Sequence, residues 1–129
     1  MSEFLKKNAE YLERKAREAL KEGAYGFAVF FAEQALQLYI KHILAKSFGD
    51  YPKTHRFSVL FEVLRNVVEG AKKFYEENVE LFEILEDSYV GVRYLGREYS
   101  RNTAEKVLRV LDKFKEAFKD VLRVHSRFS

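Results

Sequence analysis

Residues 24–48, AYGFAVFFAEQALQLYIKHILAKSF, are apolar on almost every side of a helix and contain no proline. Only a narrow polar arc, about 100° wide at the helical repeat, interrupts the apolar surface of the first half. The arc consists of Glu33, Gln34, Gln37 and Lys41. Because other elements must cover a helix with so small a polar face, we predict a helix from roughly Tyr25 to Phe48 at the centre of a bundle or at a subunit contact.

Four further stretches have apolar residues at intervals of three and four, the spacing of an amphipathic helix. The first of these helices is predicted to begin at Ser2, a favourable capping residue, and to end at Gly23. After a loop marked by Gly49 and Pro52, the next predicted helix ends near Gly70. Its inward-facing residues are predicted to be Leu60, Val63, Leu64, Val67 and Val68.

The last two predicted helices meet within the segment DSYVGVRYLGREYSRN, residues 87–102. One runs from about Phe74 to a break at Gly96, and the other begins after Asn102. Asn102, with Glu105 three residues later, resembles a capping box. Together the five stretches predict an all-α fold, an up-and-down bundle of four to five helices in a single domain over residues 1–129.

The composition favours a helical protein without disulfides. Hydrophobic residues form 47% of the 129 residues, whereas one proline and six glycines are too few for the turns of an all-β fold. No segment reaches the roughly 18 to 20 apolar residues of a membrane span, and the charged N-terminal segment is unlike a secretory signal. Because cysteine is absent, thiolate chemistry is excluded and a cytoplasmic location is expected. The high share of Lys, Glu and Arg is typical of thermophile proteins.

The net charge is small, 23 − 20 = +3, but it is unevenly distributed along the chain. Residues 62–87 are mostly acidic, and residues 93–129 are basic. Such a separation of charge can steer a charged partner, and it is equally expected of helix faces that only meet solvent.

The titratable residues give little support to common catalytic sites. His42, His55 and His125 lie far apart in the sequence, so no helical metal site is expected and no cofactor is implied. No glycine-rich phosphate loop is present, and no histidine lies near Ser88 or Ser100 to act as a base. His55 follows Thr54, a natural helix cap, and a role in capping and packing is the alternative to a role in a site.

Three segments together resemble the HEPN domain, a helical family named for nucleotide binding. They are AYGFAVFFAEQALQLYIKHILA, the Thr-His pair at 54–55, and VRYLGREYSRNTAEKVLRVLDKF. The resemblance covers about residues 5–122. It implies a four- to five-helix bundle that usually dimerises, and association with a minimal nucleotidyltransferase, often as a toxin–antitoxin pair. Many members of the family are metal-independent RNases.

The RNase motif of the family is an arginine followed, after four to six residues, by a histidine at the dimer interface. Arg93 matches the arginine, but the histidine positions are occupied by Glu98, Tyr99 and Ser100. Arg97 and the three histidines also fail this spacing. Since arginine stays protonated, Arg93 can bind charge but cannot act as the base.

We therefore predict a HEPN-type homodimer that binds a nucleotide or a nucleic-acid phosphate, a minimal nucleotidyltransferase partner, or both. Because it lacks the family's Arg…His motif, we expect little or no RNase activity. The predicted ligand-binding residues are Arg93, Tyr94, Arg97, Tyr99, Arg101 and His55. Two alternatives stay open for this cluster. In the first, the arginine lies at a helix end and contacts the last carbonyls, while the tyrosines cover the edge of the core. In the second, the protein is an RNase in which the fold brings His55 to Arg93. A third alternative is that the whole protein is a purely structural helical partner.

Two aromatic residues lie off the apolar stripe of the first helix. Phe4 and Tyr11, with the surplus apolar face of the second helix, have no evident partner within one small bundle. Exposed aromatic surface of this kind indicates an interface, so these residues are predicted to contribute to a symmetric dimer.

Overall fold

The computed structural model describes residues 2–123, and this part of the chain folds into helices without any strand. In chain order the helices are α1 (Ser2–Lys21), α2 (Tyr25–Phe48), α3 (Phe57–Leu64), α4 (Ala71–Glu77), α5 (Val79–Tyr94), α6 (Arg101–Ala117) and α7 (Lys119–Arg123). The predicted all-α bundle is thus confirmed. Two of the five predicted helices are interrupted, which gives two additional short helices.

The four long helices α1, α2, α5 and α6 form an up-and-down bundle. The Nδ1 atom of His42 near the end of α2 lies 2.7 Å from the Ser2 carbonyl oxygen, so α1 and α2 are antiparallel. Arg93 at the end of α5 contacts Phe30 near the start of α2, so these two helices are also antiparallel. Lys6 of α1 donates to the carbonyl of Leu122 beyond α6. The chain therefore alternates direction from α1 through α2 and α5 to α6.

Helix α2 lies at the centre of this bundle, with the predicted bounds. It contacts α1, α3, α5, α6 and α7. It ends at Phe48 and is capped by Gly49, whose positive φ of 80° disfavours a residue with a side chain. None of the four residues of the polar arc is fully exposed to solvent. Glu33 and Gln37 are buried, while Gln34 and Lys41 remain half-buried.

The third predicted helix ends earlier than expected and is capped differently. Helix α3 ends at Leu64 instead of near Gly70, so Val67, which was predicted to face inward, lies in a turn and is 38% exposed. The hydroxyl of Thr54 accepts from the Arg56 amide instead of capping the helix. The carboxylate of Glu86 in α5 takes the capping role, because it accepts from the amide of Phe57 at 2.6 Å.

The last two predicted helices also differ in detail. The fourth stretch breaks at Asn78, whose side chain donates to the Phe74 carbonyl and leaves α4 and α5 as separate helices. The final long helix begins at Arg101, with Ser100 as its cap: the Ser100 hydroxyl accepts from the Thr103 amide at 3.1 Å. The predicted cap at Asn102 is therefore wrong by two residues.

A cluster of aromatic rings fills the core where α3, α4 and α5 meet α6. Phe61 contacts several of these rings, including Phe82 at 5.0 Å and Phe114 at 6.3 Å between centroids. Elsewhere in the bundle, Glu13 of α1 accepts hydrogen bonds from Tyr39, Lys115 and Arg17. Within residues 2–123, no helix is long and apolar enough to cross a membrane.

Candidate functional site

Arg93 lies in the last turn of α5 and its guanidinium is surrounded by aromatic rings. The guanidinium carbon lies 4.9 Å from the ring centroid of Phe30, 4.6 Å from that of Tyr89 and 5.0 Å from that of Tyr94. Nε and Nη2 donate to the carbonyl of Tyr89 in the preceding turn. Arg93 is exposed, and no carboxylate within residues 2–123 pairs with it. A cation held in this way keeps its charge available to a ligand.

His55 lies in the loop before α3 and contacts the same tyrosine. The rings of His55 and Tyr89 are 4.3 Å apart between centroids, and the His55 carbonyl accepts from Nε2 of Gln37 at 2.6 Å. The side chain is exposed. Tyr89 thus joins His55 and Arg93, two of the residues that the sequence placed in one site. We name Phe30, His55, Tyr89, Arg93 and Tyr94 the Arg93 cluster.

The other predicted site residues lie apart from this cluster. Nε of Arg97 lies 3.2 Å from the Asp87 carboxylate, and the Tyr99 hydroxyl donates to the same carboxylate at 2.6 Å. Burial, with this hydrogen bond, raises the pKa of Tyr99 above its usual value. Within the described chain no hydrogen bond or ring contact joins Arg97 or Tyr99 to Arg93. Their observed contacts hold the turn at 95–100 against α5.

Arg101 is the remaining predicted site residue. It starts α6, is exposed, and its Nε lies 3.1 Å from the carboxylate of Glu105 one turn later. This is a helix-surface ion pair of the kind that contributes little to stability. Its position offers no contact with the Arg93 cluster.

A basic cleft, which the sequence did not predict, lies next to the Arg93 cluster. It lies between α2, the loop before α3 and α5, and has a volume of about 590 Å³. Its basic lining residues are Lys41, Lys53, His55 and Arg56, and Tyr89 forms the wall that it shares with the Arg93 cluster. The signal in the sequence was the run KTHR at 53–56, which places three basic side chains within four residues.

Glu33 is fully buried behind this cleft. Its two carboxylate oxygens accept from Nε2 of Gln34 and Nε2 of Gln37, each at 2.7 Å. Burial raises the pKa of Glu33 to about 7, although both hydrogen bonds and the charge of Lys41 act in the opposite direction. Because Gln37 also donates to the His55 carbonyl, the carboxyl group is joined to the loop that carries the cleft's basic residues.

A family model for the HEPN domain matches residues 2–121. The chain belongs to the HEPN domain family. This match confirms the family inferred from the three sequence segments. Searches of curated proteins and of solved structures give no significant match.

The RNase motif of HEPN domains has other residues at its histidine positions here, and the structure shows what two of them do. Tyr99 is hydrogen-bonded to Asp87, and Ser100 caps α6. Glu98 is exposed in the same turn. Both hydroxyl groups therefore have structural partners. A general base works best when its pKa lies near the pH of the reaction, and the ordinary pKa of a glutamate is well below neutral pH while that of a tyrosine is well above it.

Proposed function

We propose that this HEPN domain is a binding module for the phosphate of a nucleotide or of single-stranded nucleic acid, with Arg93 as its principal contact. The observation that carries the proposal is an exposed guanidinium among three aromatic rings, with no carboxylate partner in residues 2–123. The Tyr89 carbonyl accepts from Nε and Nη2, as the helix-end alternative predicts, but it carries no full charge, so Arg93 still lacks an anion. A phosphate group supplies that missing anion, and a base can stack on an adjacent ring.

The proposal assigns different roles to the predicted residues. Tyr94, which is 71% exposed, offers a ring face for stacking beside the charge of Arg93. His55 supplies polar ring nitrogens on the other side of Tyr89. Arg97 and Tyr99 act indirectly, because both are engaged with Asp87 and fix the turn that follows Tyr94. Arg101 is peripheral and serves as a matched control.

Binding of a fluorescently labelled single-stranded RNA tests this proposal. Arg93→Ala removes one charge-assisted contact and is expected to weaken binding by about tenfold or more at low salt. Arg101→Ala removes the same charge from an exposed helix position and should have a small effect. The dependence of affinity on salt should also become shallower in Arg93→Ala, by about 0.7 in the slope of log K against log salt for one phosphate contact. Equal effects of the two substitutions would contradict the proposal.

We further propose that the domain forms a homodimer through the apolar surface beside Arg93. Phe27, Val90 and Leu95 are exposed large side chains there, and ring contacts connect Phe27 through Phe31 to Phe30. Sedimentation at tens of micromolar, a concentration chosen for a dimer of moderate affinity, should show a dimer. Phe27→Ser should shift it towards monomer, whereas Phe4→Ser tests the face of α1 that the sequence assigned to the dimer, where Phe4 is 52% exposed. A clean monomer would exclude the dimer, and a shift caused only by Phe4→Ser would move the interface to α1.

Membership of the family also supports a protein partner. We propose that a minimal nucleotidyltransferase binds this HEPN domain, in the manner of a toxin–antitoxin pair. Exposed carboxylates of residues 62–83 and the basic surface of residues 93–123 provide the charge separation that would orient it. An adjacent reading frame that encodes a small nucleotidyltransferase, and co-purification of the two proteins, would support this pairing. Failure of the co-expressed proteins to associate would contradict it.

A second candidate function is metal-independent RNA cleavage with a variant base. The contacts of both His55 and Arg93 with the Tyr89 ring favour it, since the fold brings together an imidazole and a cation that the sequence keeps 38 positions apart. In this mechanism His55 accepts the proton of the attacking 2′-hydroxyl and Arg93 stabilises the developing charge. The mechanism predicts cleavage that requires both side chains.

A further inference from the structure

Lys41 in the basic cleft is a half-buried cation without a bonded partner. Within residues 2–123 its ammonium group makes no hydrogen bond or ion pair, and it lies 5.5 Å from the centroid of the Tyr51 ring. Burial lowers its pKa, with the charge of Lys53 acting in the same direction and Glu33 opposing it. A partly desolvated ammonium group facing a cleft is unfavourable unless an anion compensates it.

The rest of the cleft is also short of negative charge. Lys53 pairs with Asp50 at 3.0 Å and lies over the Tyr51 ring, and both charged groups of that pair are largely exposed at the rim. The guanidinium of Arg56 has no hydrogen bond or ion pair with the described residues. The carboxyl group of Glu33 is buried behind the wall, and this burial raises its pKa to about 7. Positive charge therefore dominates the solvent-facing part of the cleft.

We propose that the basic cleft binds a second phosphate group, through Lys41 and Arg56, on the opposite side of the Tyr89–His55 pair from Arg93. This inference rests on the proposed function and narrows its ligand. A ligand that fills both positions must carry at least two phosphates and must span the aromatic rings that separate the two positions. A single-stranded oligonucleotide meets both requirements. A mononucleotide fills only one of the two positions. The exposed ring of His55 lies where a base between the two phosphates can stack.

Two probes test the cleft: inorganic phosphate and a labelled six-nucleotide single-stranded RNA. Phosphate titrated into isotope-labelled protein should shift the amide resonances of the loop 53–56, and Lys41→Met should abolish that shift. Lys41→Met and Arg56→Ala should each weaken RNA binding by about tenfold, the effect of one charge-assisted contact. Arg56 is exposed, so its variant remains informative if Lys41→Met does not fold. Arg101→Ala is the matched control.

The variants separate this inference from the proposed function. Weakening of RNA binding by Arg93→Ala and by both cleft variants supports two phosphate positions. Weakening by Arg93→Ala alone, with no phosphate-induced shifts in the loop, would overturn the cleft and leave the proposed function intact. Weakening by the cleft variants alone would keep the cleft as the binding site and overturn the role of Arg93. A mononucleotide that binds as tightly as the six-nucleotide RNA would overturn the assignment of an oligonucleotide.

Discussion

Replacing Glu33 by glutamine should make the stability of the protein less sensitive to pH. The carboxyl group is fully buried, with Lys41 and Glu86 as the charged groups that act on it from α2 and α5. Glutamine keeps the size of the side chain. Its carbonyl oxygen can accept from Gln37, and its amide group can donate to a reoriented Gln34. The substitution therefore removes the titration while keeping the local hydrogen bonds.

The magnitude follows from the difference in proton affinity between the folded and unfolded states. The pKa of Glu33 is about 7 in the folded protein and 4.5 in an unperturbed chain. Ionising it inside the protein therefore costs about 3 kcal/mol. Since the unfolded chain loses this proton first, the free energy of unfolding should decrease as the pH rises from 4.5 to 7 and then level off.

Urea denaturation followed by circular dichroism at pH 5, 6, 7 and 8 measures this effect. The stability of Glu33→Gln minus that of the wild type should increase by about 2 to 3 kcal/mol between pH 5 and pH 8. Comparison of the two proteins at each pH cancels the titration of all other groups. A difference that stays constant over this range would show that Glu33 ionises normally and that its burial is not the controlling factor.

Two further substitutions test the contacts that define the fold. Burial alone would raise the pKa of Glu13, but hydrogen bonds from Lys115, Tyr39 and Arg17 outweigh it and hold the pKa below its usual value. Glu13→Gln should therefore cost about 2 kcal/mol at pH 7 in urea denaturation, and the cost should shrink as the pH falls below 4.5; an undiminished cost would refute this account. Ser100→Ala should lower the free energy of unfolding by about 1 kcal/mol, because it removes the hydroxyl group that caps α6. An unchanged free energy of unfolding would indicate that Asn102 caps the helix instead.

Sequence patterns predicted a helix well where the hydrophobic periodicity and the position of a glycine indicate the same helix end. The bounds of α2 follow from an apolar surface too wide for solvent and from Gly49 after its last turn. The cap of α3 and the start of α6 were misplaced because tertiary and local contacts override propensity. Glu86 caps α3 from another helix, which no local motif reveals, and Ser100 competes successfully with Asn102 two residues later.

The site was only partly predictable for a related reason. Arg93, Tyr94 and His55 were recognised as candidates, and the structure joins His55 to Arg93 through Tyr89, a residue that was not among the predicted site residues. Arg97 and Tyr99 looked equivalent to Arg93, but their partner Asp87 lies on another side of α5. The buried position of Glu33 depends on how the loop 50–56 covers α2, and periodicity within one helix cannot show this.

The most direct test of whether this HEPN domain binds or cleaves RNA measures both in the same sample. Labelled single-stranded RNA is incubated with purified protein at neutral pH in excess chelator, and its binding and its length are then determined. We expect bound RNA that remains intact, with binding reduced in Arg93→Ala. Cleavage that disappears in both Arg93→Ala and His55→Ala would contradict the binding function and establish the nuclease, whereas cleavage that survives both substitutions would come from a contaminant.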